Sequence, residues 1–313
     1  MASSLQQAGT SISELFGMAL ISATDIRLAF RTLQTRPGLS LVVIVTLALG
    51  IGASTAMFSV LNAALLRRLP FHDADRLVIL WGVAGPERSV RGASVPEVAD
   101  WRSMNHTLAD VSVFDPISLN LLTGSEAHRI SAERVSAGYF ELLGVAPERG
   151  RTFAPEEDRI PDAHPVVVVG HGLWRSRFGS DPALVGKAIT LNDRAFTVVG
   201  IMPDGFAGLS FQADLWIPTA MISVDSPVSI YVSRGSRWLA AVGRMRNGVT
   251  MTAAQDDLTA VAVRLAQQYP ESNRERGVSL LSVQENSLGT TRGLFGALFE
   301  AVLLVLLIAC ANV

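Results

Sequence analysis

The 313-residue sequence is poor in several residue types on which common chemistries depend. Lysine is almost missing: Lys187 is the only one, and every other member of the 26 Lys and Arg residues is Arg. A phosphate-binding loop of the form G-x-x-x-x-G-K-[ST] needs a Lys between a Gly and a hydroxyl residue. Lys187 is followed by Ala188 and has no matching first Gly before it, so this route to ATP hydrolysis is excluded. The single cysteine, Cys310, excludes an internal disulfide and any Cys-pair zinc site. H-E-x-x-H and G-x-S-x-G are both absent. The five histidines, His72, His106, His128, His164 and His171, are scattered and form no ligand spacing. A net charge of −2 gives no electrostatic footprint for nucleic acid. No catalytic, cofactor-binding or metal-binding constellation emerges, and an enzyme is the weakest functional class.

Apolar residues are plentiful, at 49% of the chain, and they are concentrated. Leu39 to Leu66 reads LSLVVIVTLALGIGASTAMFSVLNAALL, without a charge. As a helix its about 28 residues would extend about 42 Å, against roughly 30 Å of bilayer core. It is long enough to cross with tilt or to continue beyond the lipid. Gly50, Gly52, Ala53 and Ala56 (with Ser54) form a patch of small residues that permits close helix packing in lipid. Residues 293–313 form a second apolar stretch with one charge, Glu300, and an intramembrane carboxylate is a functional candidate. It reaches the interface, pairs with an Arg of another helix, or serves function directly. Because the sequence stops inside this stretch, a fragment of a longer chain is expected. Arg27, Arg31 and Arg36 precede the first span and Arg67, Arg68 and Arg76 follow it, so the positive-inside count does not orient it.

Residues 1–38 contain a helical pattern from about Ile12 to Thr35, with Ile26, Phe30 and Leu33 on one face and Arg27 and Arg31 on another. Such a helix lies along the membrane surface or is an ordinary surface helix. Residues 67–292 look globular. Strands are expected over Arg76–Trp81, Val111–Leu122, His128–Val135, Val166–Val169, Lys187–Leu191, Ala195–Ile201, Trp238–Met245 and Gly277–Val283. The segment Asn192-Asp193-Arg194 reads as a hairpin turn. Ser94-Val95-Pro96-Glu97 is a capping box opening a helix to about Met104. Ser136 is expected to cap a short helix ending at Gly144, Gly170-His171-Gly172 reads as a turn before a helix over Leu173–Phe178, and a longer helix is expected from Thr252 to Gln268. Glu156-Glu157-Asp158 could bind a cation, but reads first as a solvated acidic turn. The expected fold class is a membrane protein: transmembrane α-helices flanking an α+β domain of two subdomains.

Several runs carry a family resemblance: Asp25–Ser40 (DIRLAFRTLQTRPGLS), Thr46–Ser59 (TLALGIGASTAMFS), Val60–Leu77 (VLNAALLRRLPFHDADRL), Val135–Arg151 (VSAGYFELLGVAPERGR), Val242–Gln255, Arg264–Pro270 and Leu306–Val313 (LLIACANV). Together they resemble the MacB/FtsX-type ABC transporter permeases, most of all the duplicated branch abundant in acidobacteria. The resemblance implies a cytoplasmic N-terminus, a stalk helix over 39–66, a MacB-like periplasmic core domain over 67–292, and a second span over 293–313. It implies an inner-membrane permease coupled by mechanotransmission to a separate ATPase, which binds the ATP and Mg; no cofactor is implied in this chain. Implied partners are that ATPase subunit, a second permease copy or pseudo-dimer partner, a periplasmic adaptor and membrane lipids. The resemblance implies export or lipoprotein-type release. A non-transporting scaffold or regulator of a periplasmic partner, similar to the cell-division branch, is the alternative, as is a truncated non-functional fragment. The five tryptophans, Trp81, Trp101, Trp174, Trp216 and Trp238, are expected in core or interface positions rather than a substrate site.

Overall fold

The computed structural model describes residues 70–289 apart from 86, 91 and 125, together with scattered residues between 37 and 55 and between 297 and 307. The chain divides into two units, one of Arg68–Thr290 and the other from the flanking segments. The expected surface helix lies outside the described residues, as does most of 39–66 and of 293–313. Among the described residues no helix is long and apolar enough to cross a membrane.

Within Arg68–Thr290, eleven described strands belong to one hydrogen-bonded sheet. They are β1 (Leu77–Ala84), β2 (Ser89–Val90), β3 (Leu108–Thr123), β4 (Glu126–Val135), β5 (Arg149–Gly150), β6 (Val166–Val169), β7 (Ala188–Leu191), β8 (Arg194–Ile201), β9 (Leu215–Pro218), β10 (Ala240–Met245) and β11 (Arg276–Ser282). The main path runs β11-β1-β10-β3-β4-β9-β6-β8-β5. The helices are α1 (Val95–Met104), α2 (Tyr139–Leu143), α3 (His171–Phe178), α4 (Ser229–Val232), α5 (Met251–Gln268), α6 (Pro270–Asn273) and α7 (Val283–Gly289).

The long strand β3 joins the two halves. Its first part pairs with β10, from Leu108↔Met245 to Phe114↔Ala240, and its second part pairs with β4, from Phe114↔Val135 to Thr123↔Glu126. Pro116 falls where β3 has left β10 and has not yet met β7, so that edge has no partner strand to lose a bond to. Further along, β7 pairs with both β3 and β8, and this closes a six-stranded ring, β3-β4-β9-β6-β8-β7. The two expected subdomains are therefore one unit, because a single strand and a continuous sheet run through both.

Three apolar clusters follow from this layout. One lies under α1 and α5, where Trp101, Leu258, Val261 and Leu265 meet Val78, Leu80, Val111 and Ala241. A second belongs to the ring, with Leu119, Leu121, Phe196, Val198, Leu215 and Ile217. The third draws on both halves: Phe71, Leu77, Phe114, Tyr139, Phe140, Phe206 and Trp216. Trp101 and Trp216 are fully buried, as expected of core tryptophans.

Local signals explain most boundaries. Ser94 accepts from the Glu97 amide and Glu97 accepts from the Ser94 amide, the reciprocal pair that starts α1. Thr250 caps α5 through the Ala253 amide. Asn192 and Asp193 both have positive φ, 43° and 63°, as a tight two-residue hairpin between β7 and β8 requires. Three expectations are corrected. Ser136 does not cap α2: its hydroxyl accepts from the Val113 amide on β3, and Gly138 stands at the cap. His171 and Gly172 are already helical, with Gly170 as N-cap. The acidic turn is not simply solvated. Glu157 is buried on Arg151, with Nη2–Oε1 at 2.7 Å, and Asp158 accepts from the Ala137 and Ala220 amides at 3.2 and 2.9 Å. The short β9 had no sequence signal; its four residues end in Pro218 and gain strand geometry from β4 and β6.

The outer edge of β11 is covered by side chains. Gln255 donates to the Val278 carbonyl at 2.8 Å and accepts from the Leu280 amide at 2.9 Å, the two outward groups a further strand would use. Arg88 also donates to Val278 O, and Glu285 accepts from the Ser282 amide. An uncovered edge is a template for pairing with another chain. Gln255→Ala is expected to cost about 1–2 kcal/mol and to introduce concentration-dependent self-association. Denaturant unfolding and analytical ultracentrifugation check this, and an equally stable monomer would contradict it.

Asp158 makes a pH limb. Burial raises its carboxyl to about 6, against the two amides and Arg102; burial, then the Asp158 charge, raises the nearby Tyr231 hydroxyl to about 12. The folded form thus holds the proton more tightly than the unfolded chain. This contribution to stability is full below about pH 4 and is lost as pH rises through about 6. Asp158→Ala should flatten stability between these limits, measured by unfolding at stepped pH. A slope unchanged by the substitution would refute the assignment.

Candidate functional site

The two ends of the described domain leave it side by side. β1 and β11 are antiparallel, with Val78 opposite Ser282 and Ala84 opposite Arg276. The chain therefore comes in at Leu77 and goes out at Val283 from the same end of two neighbouring strands. Any force applied through the flanking segments meets the domain at this root.

Two arginines tie the lead-in segment, residues 70–76, to β10: Arg244 holds the segment's backbone, and Arg76, within the segment, holds that of β10. Arg244 on β10 donates through Nε to Leu142 O at 2.9 Å, through Nη2 to His72 O at 2.7 Å and through Nη1 to Asp73 O at 3.3 Å. Arg76 donates to Met245 O through Nε at 3.0 Å and Nη2 at 2.7 Å, and its Nη1 meets Asp73 Oδ2 at 3.2 Å. Burial, then the charge of Arg76, pushes the Arg244 guanidinium below its usual proton affinity, while Asp73 pulls it back. The His72 amide donates to Leu143 O at 3.2 Å. Gly144, at φ 71°, ends α2 beneath it, and a Cβ there would come within 2.6 Å of His72 Cβ. Only glycine serves both the left-handed turn and this approach. Phe71, 7% exposed, completes the hold from the apolar side.

The outgoing segment is held differently. Val283 is buried in the shared cluster. Trp81 Nε1 donates to Asn286 Oδ1 at 2.8 Å, which binds α7 back to β1. Ser282 is the cap of α7: its Oγ accepts from the Glu285 amide at 3.1 Å and donates to Glu285 Oε2 at 2.8 Å. The root therefore consists of backbone clamps and one apolar plug at each passage. These contacts fix the position of both passages.

Gly50 is helical and buried, Gly52 helical and exposed, and Glu300 helical and exposed; Ala53 and Ala56 lie outside the described residues. Among the described residues no three metal-ligating groups come together. Sequence reading missed the root. The signal was available in Arg244, an arginine inside an otherwise apolar strand, and in Arg76 immediately before another.

The comparisons agree with this architecture. The profile of the MacB-like periplasmic core domain matches residues 40–261. The macrolide export ATP-binding/permease protein MacB of Salmonella typhi is 26% identical over 145 residues, 45% of this chain and 21% of that protein. The protein of the same name from Aggregatibacter actinomycetemcomitans is 28% identical over 125 residues, 39% of this chain and 18% of its own length. The chain thus spans about a fifth of the length of these curated relatives. The periplasmic region of MacB from Actinobacillus actinomycetemcomitans superposes with a TM-score of 0.50 at 15% identity, covering 70% of this chain and 94% of that one. A permease domain from Porphyromonas gingivalis gives 0.51 at 16% identity, covering 68% and 92%. The chain belongs to the MacB-like periplasmic core domain family, within the MacB/FtsX-type ABC transporter permeases.

Proposed function

We propose that this chain is permease material of a MacB/FtsX-type ABC transporter, in which ATP hydrolysis on a separate ATPase subunit moves the periplasmic domain to drive export or lipoprotein-type release. The observation that carries the reading is the root. Both passages lie at one end of adjacent strands, so a relative shift of two flanking helices would reach β1 and β11 directly. Clamps made to backbone carbonyls transmit displacement with little slack, because the guanidinium groups hold the chain itself.

Residues 39–66 act as the stalk and 293–313 as the second span in an inner membrane, with 1–38 cytoplasmic and 67–292 periplasmic. Features of the described residues in the first stretch support this reading. Leu41, Val42, Ile44 and Ile51 are exposed apolar side chains, which lipid would cover. The hydroxyls of Thr46, Ser54 and Thr55 donate to the carbonyls of Val42, Gly50 and Ile51, so their donors are met inside the helix. In this scheme Gly50, Gly52, Ala53 and Ala56 make the helix-packing face, toward a second copy or pseudo-dimer partner, and Glu300 is the intramembrane acid. The relatives' name unites ATP binding with permease and assigns them macrolide export; a macrolide is therefore the first substrate to test. A periplasmic adaptor completes the set of partners.

Mechanically, nucleotide binding biases a two-state element and the periplasmic domain reads out its position. Arg244→Ala, in the full chain with its ATPase, is expected to leave ATP hydrolysis within about twofold and to lower macrolide export roughly tenfold, the size of a lost coupling of about 1.4 kcal/mol. Hydrolysis and cellular macrolide accumulation are read together. Export unchanged in a folded Arg244→Ala protein would contradict transmission through the root.

A further inference from the structure

The segment between β8 and β9, residues 202–214, is held at two places. At its core, Glu133 on β4 is fully buried and has no cationic partner among its hydrogen bonds. Its Oε2 accepts from Tyr139 Oη and from Trp216 Nε1, both at 2.9 Å, and its Oε1 accepts from the Ser210 amide at 2.6 Å. The Leu209 amide in turn donates to Tyr139 Oη at 2.8 Å. The direction of every bond is thereby fixed: two amides of the loop donate, and one carboxylate collects. Gly208 lies directly on that carboxylate, and a Cβ there would collide with it.

Beneath, the loop rests on the lead-in segment. Phe71 meets Phe206 edge-on, with centroids 6.4 Å apart, and meets Phe211 at 6.3 Å. Phe206 continues to Trp216 at 5.1 Å and to Phe140 at 6.0 Å. Trp216 is a residue of β9 and donates to Glu133, so one aromatic chain runs from residue 71 to the ring strands. Phe211 itself has φ 59°, a left-handed conformation that a bulky side chain adopts only against a cost. It is also 41% exposed, so burial of its ring does not account for that conformation. It closes the turn at residues 208–211 with its ring against Phe71.

We infer that residues 203–213 are the relay through which the position of the lead-in segment reaches the six-stranded ring. Phe71 acts as the input, Phe211 as a strained follower and the Glu133–Tyr139–Trp216 network as the output. The loop joins the end of β8 to the start of β9, two ring strands separated by β6, so its displacement acts on both. Phe71 and Phe211 are positioning residues in this scheme. The inference deepens the proposed mechanotransmission and rests on it for its purpose, but not for its physical test.

That test is hydrogen exchange on the full chain in detergent or nanodiscs, without an ATPase or substrate. Phe71→Ala should raise exchange at the Leu209 and Ser210 amides at least about tenfold, while amides of β1 and β10 keep their protection. Phe211→Gly relieves the left-handed backbone and opens no core cavity; it should raise the same two amides selectively. Exchange at Leu209 and Ser210 unchanged in both variants overturns the relay. So does acceleration spread evenly over the domain, because that reports global destabilisation. Failure of export with a selective exchange response would count against the transport reading and leave the relay standing.

Discussion

Antiparallel pairing of β1 with β11 is the constraint on which the rest of the domain depends. Val78 opposite Ser282 brings residues about two hundred positions apart in sequence to one end of the sheet. In the proposed scheme two helices flank the domain, whose ends must then be close, and this pairing supplies that with backbone hydrogen bonds. The arginine clamps, the Phe71 plug and the Trp81–Asn286 bond are additions to that geometry. Remove the pairing and none of them has a fixed target.

The same economy appears in the polar interior. Burying charge is expensive unless its hydrogen bonds are complete. Arg237 lies on Glu97, at 3.2 Å, with Asn273 on the other carboxylate oxygen at 3.0 Å. Arg134 lies between Asp115 and Asp225, at 2.6 and 2.7 Å, and stacks over Trp238. The first cluster ties the segment before β10 to α1 and α6, and the second ties the stretch after β9 to β3 and β4. Glu133 differs, because its partners are all neutral donors; burial pushes its carboxyl upward, as it does those of Glu97 and Asp115. These side chains give the irregular segments defined positions.

Local chemistry was legible in the sequence. The Ser94–Glu97 box, the Asn192-Asp193 turn and the periodic face of α5 act within a few residues, so composition alone displays them. Membership of the family was also legible, through runs such as Val135–Arg151 that form α2, its Gly144 terminus and β5. The root was not legible, since Arg244 gains meaning only when β10 brings it against carbonyls of residues 72, 73 and 142. The short β9 and the burial of Glu157 and Asp158 escaped for the same reason. Their environments come from partners far away in the chain. The small-residue patch and Glu300 were read from lipid chemistry, and their role is part of the proposed membrane scheme.

The most direct measurement is pulsed electron paramagnetic resonance on the full chain with its ATPase in nanodiscs. Spin labels would replace exposed residues Asp75 beside the root and Glu126 at the tip of the β3–β4 hairpin. Transmission through the root predicts a distance distribution that shifts between nucleotide-free and ATP-trapped states in the native background and stays fixed in Arg244→Ala. A distribution that ignores nucleotide, or that shifts equally in Arg244→Ala, would contradict it.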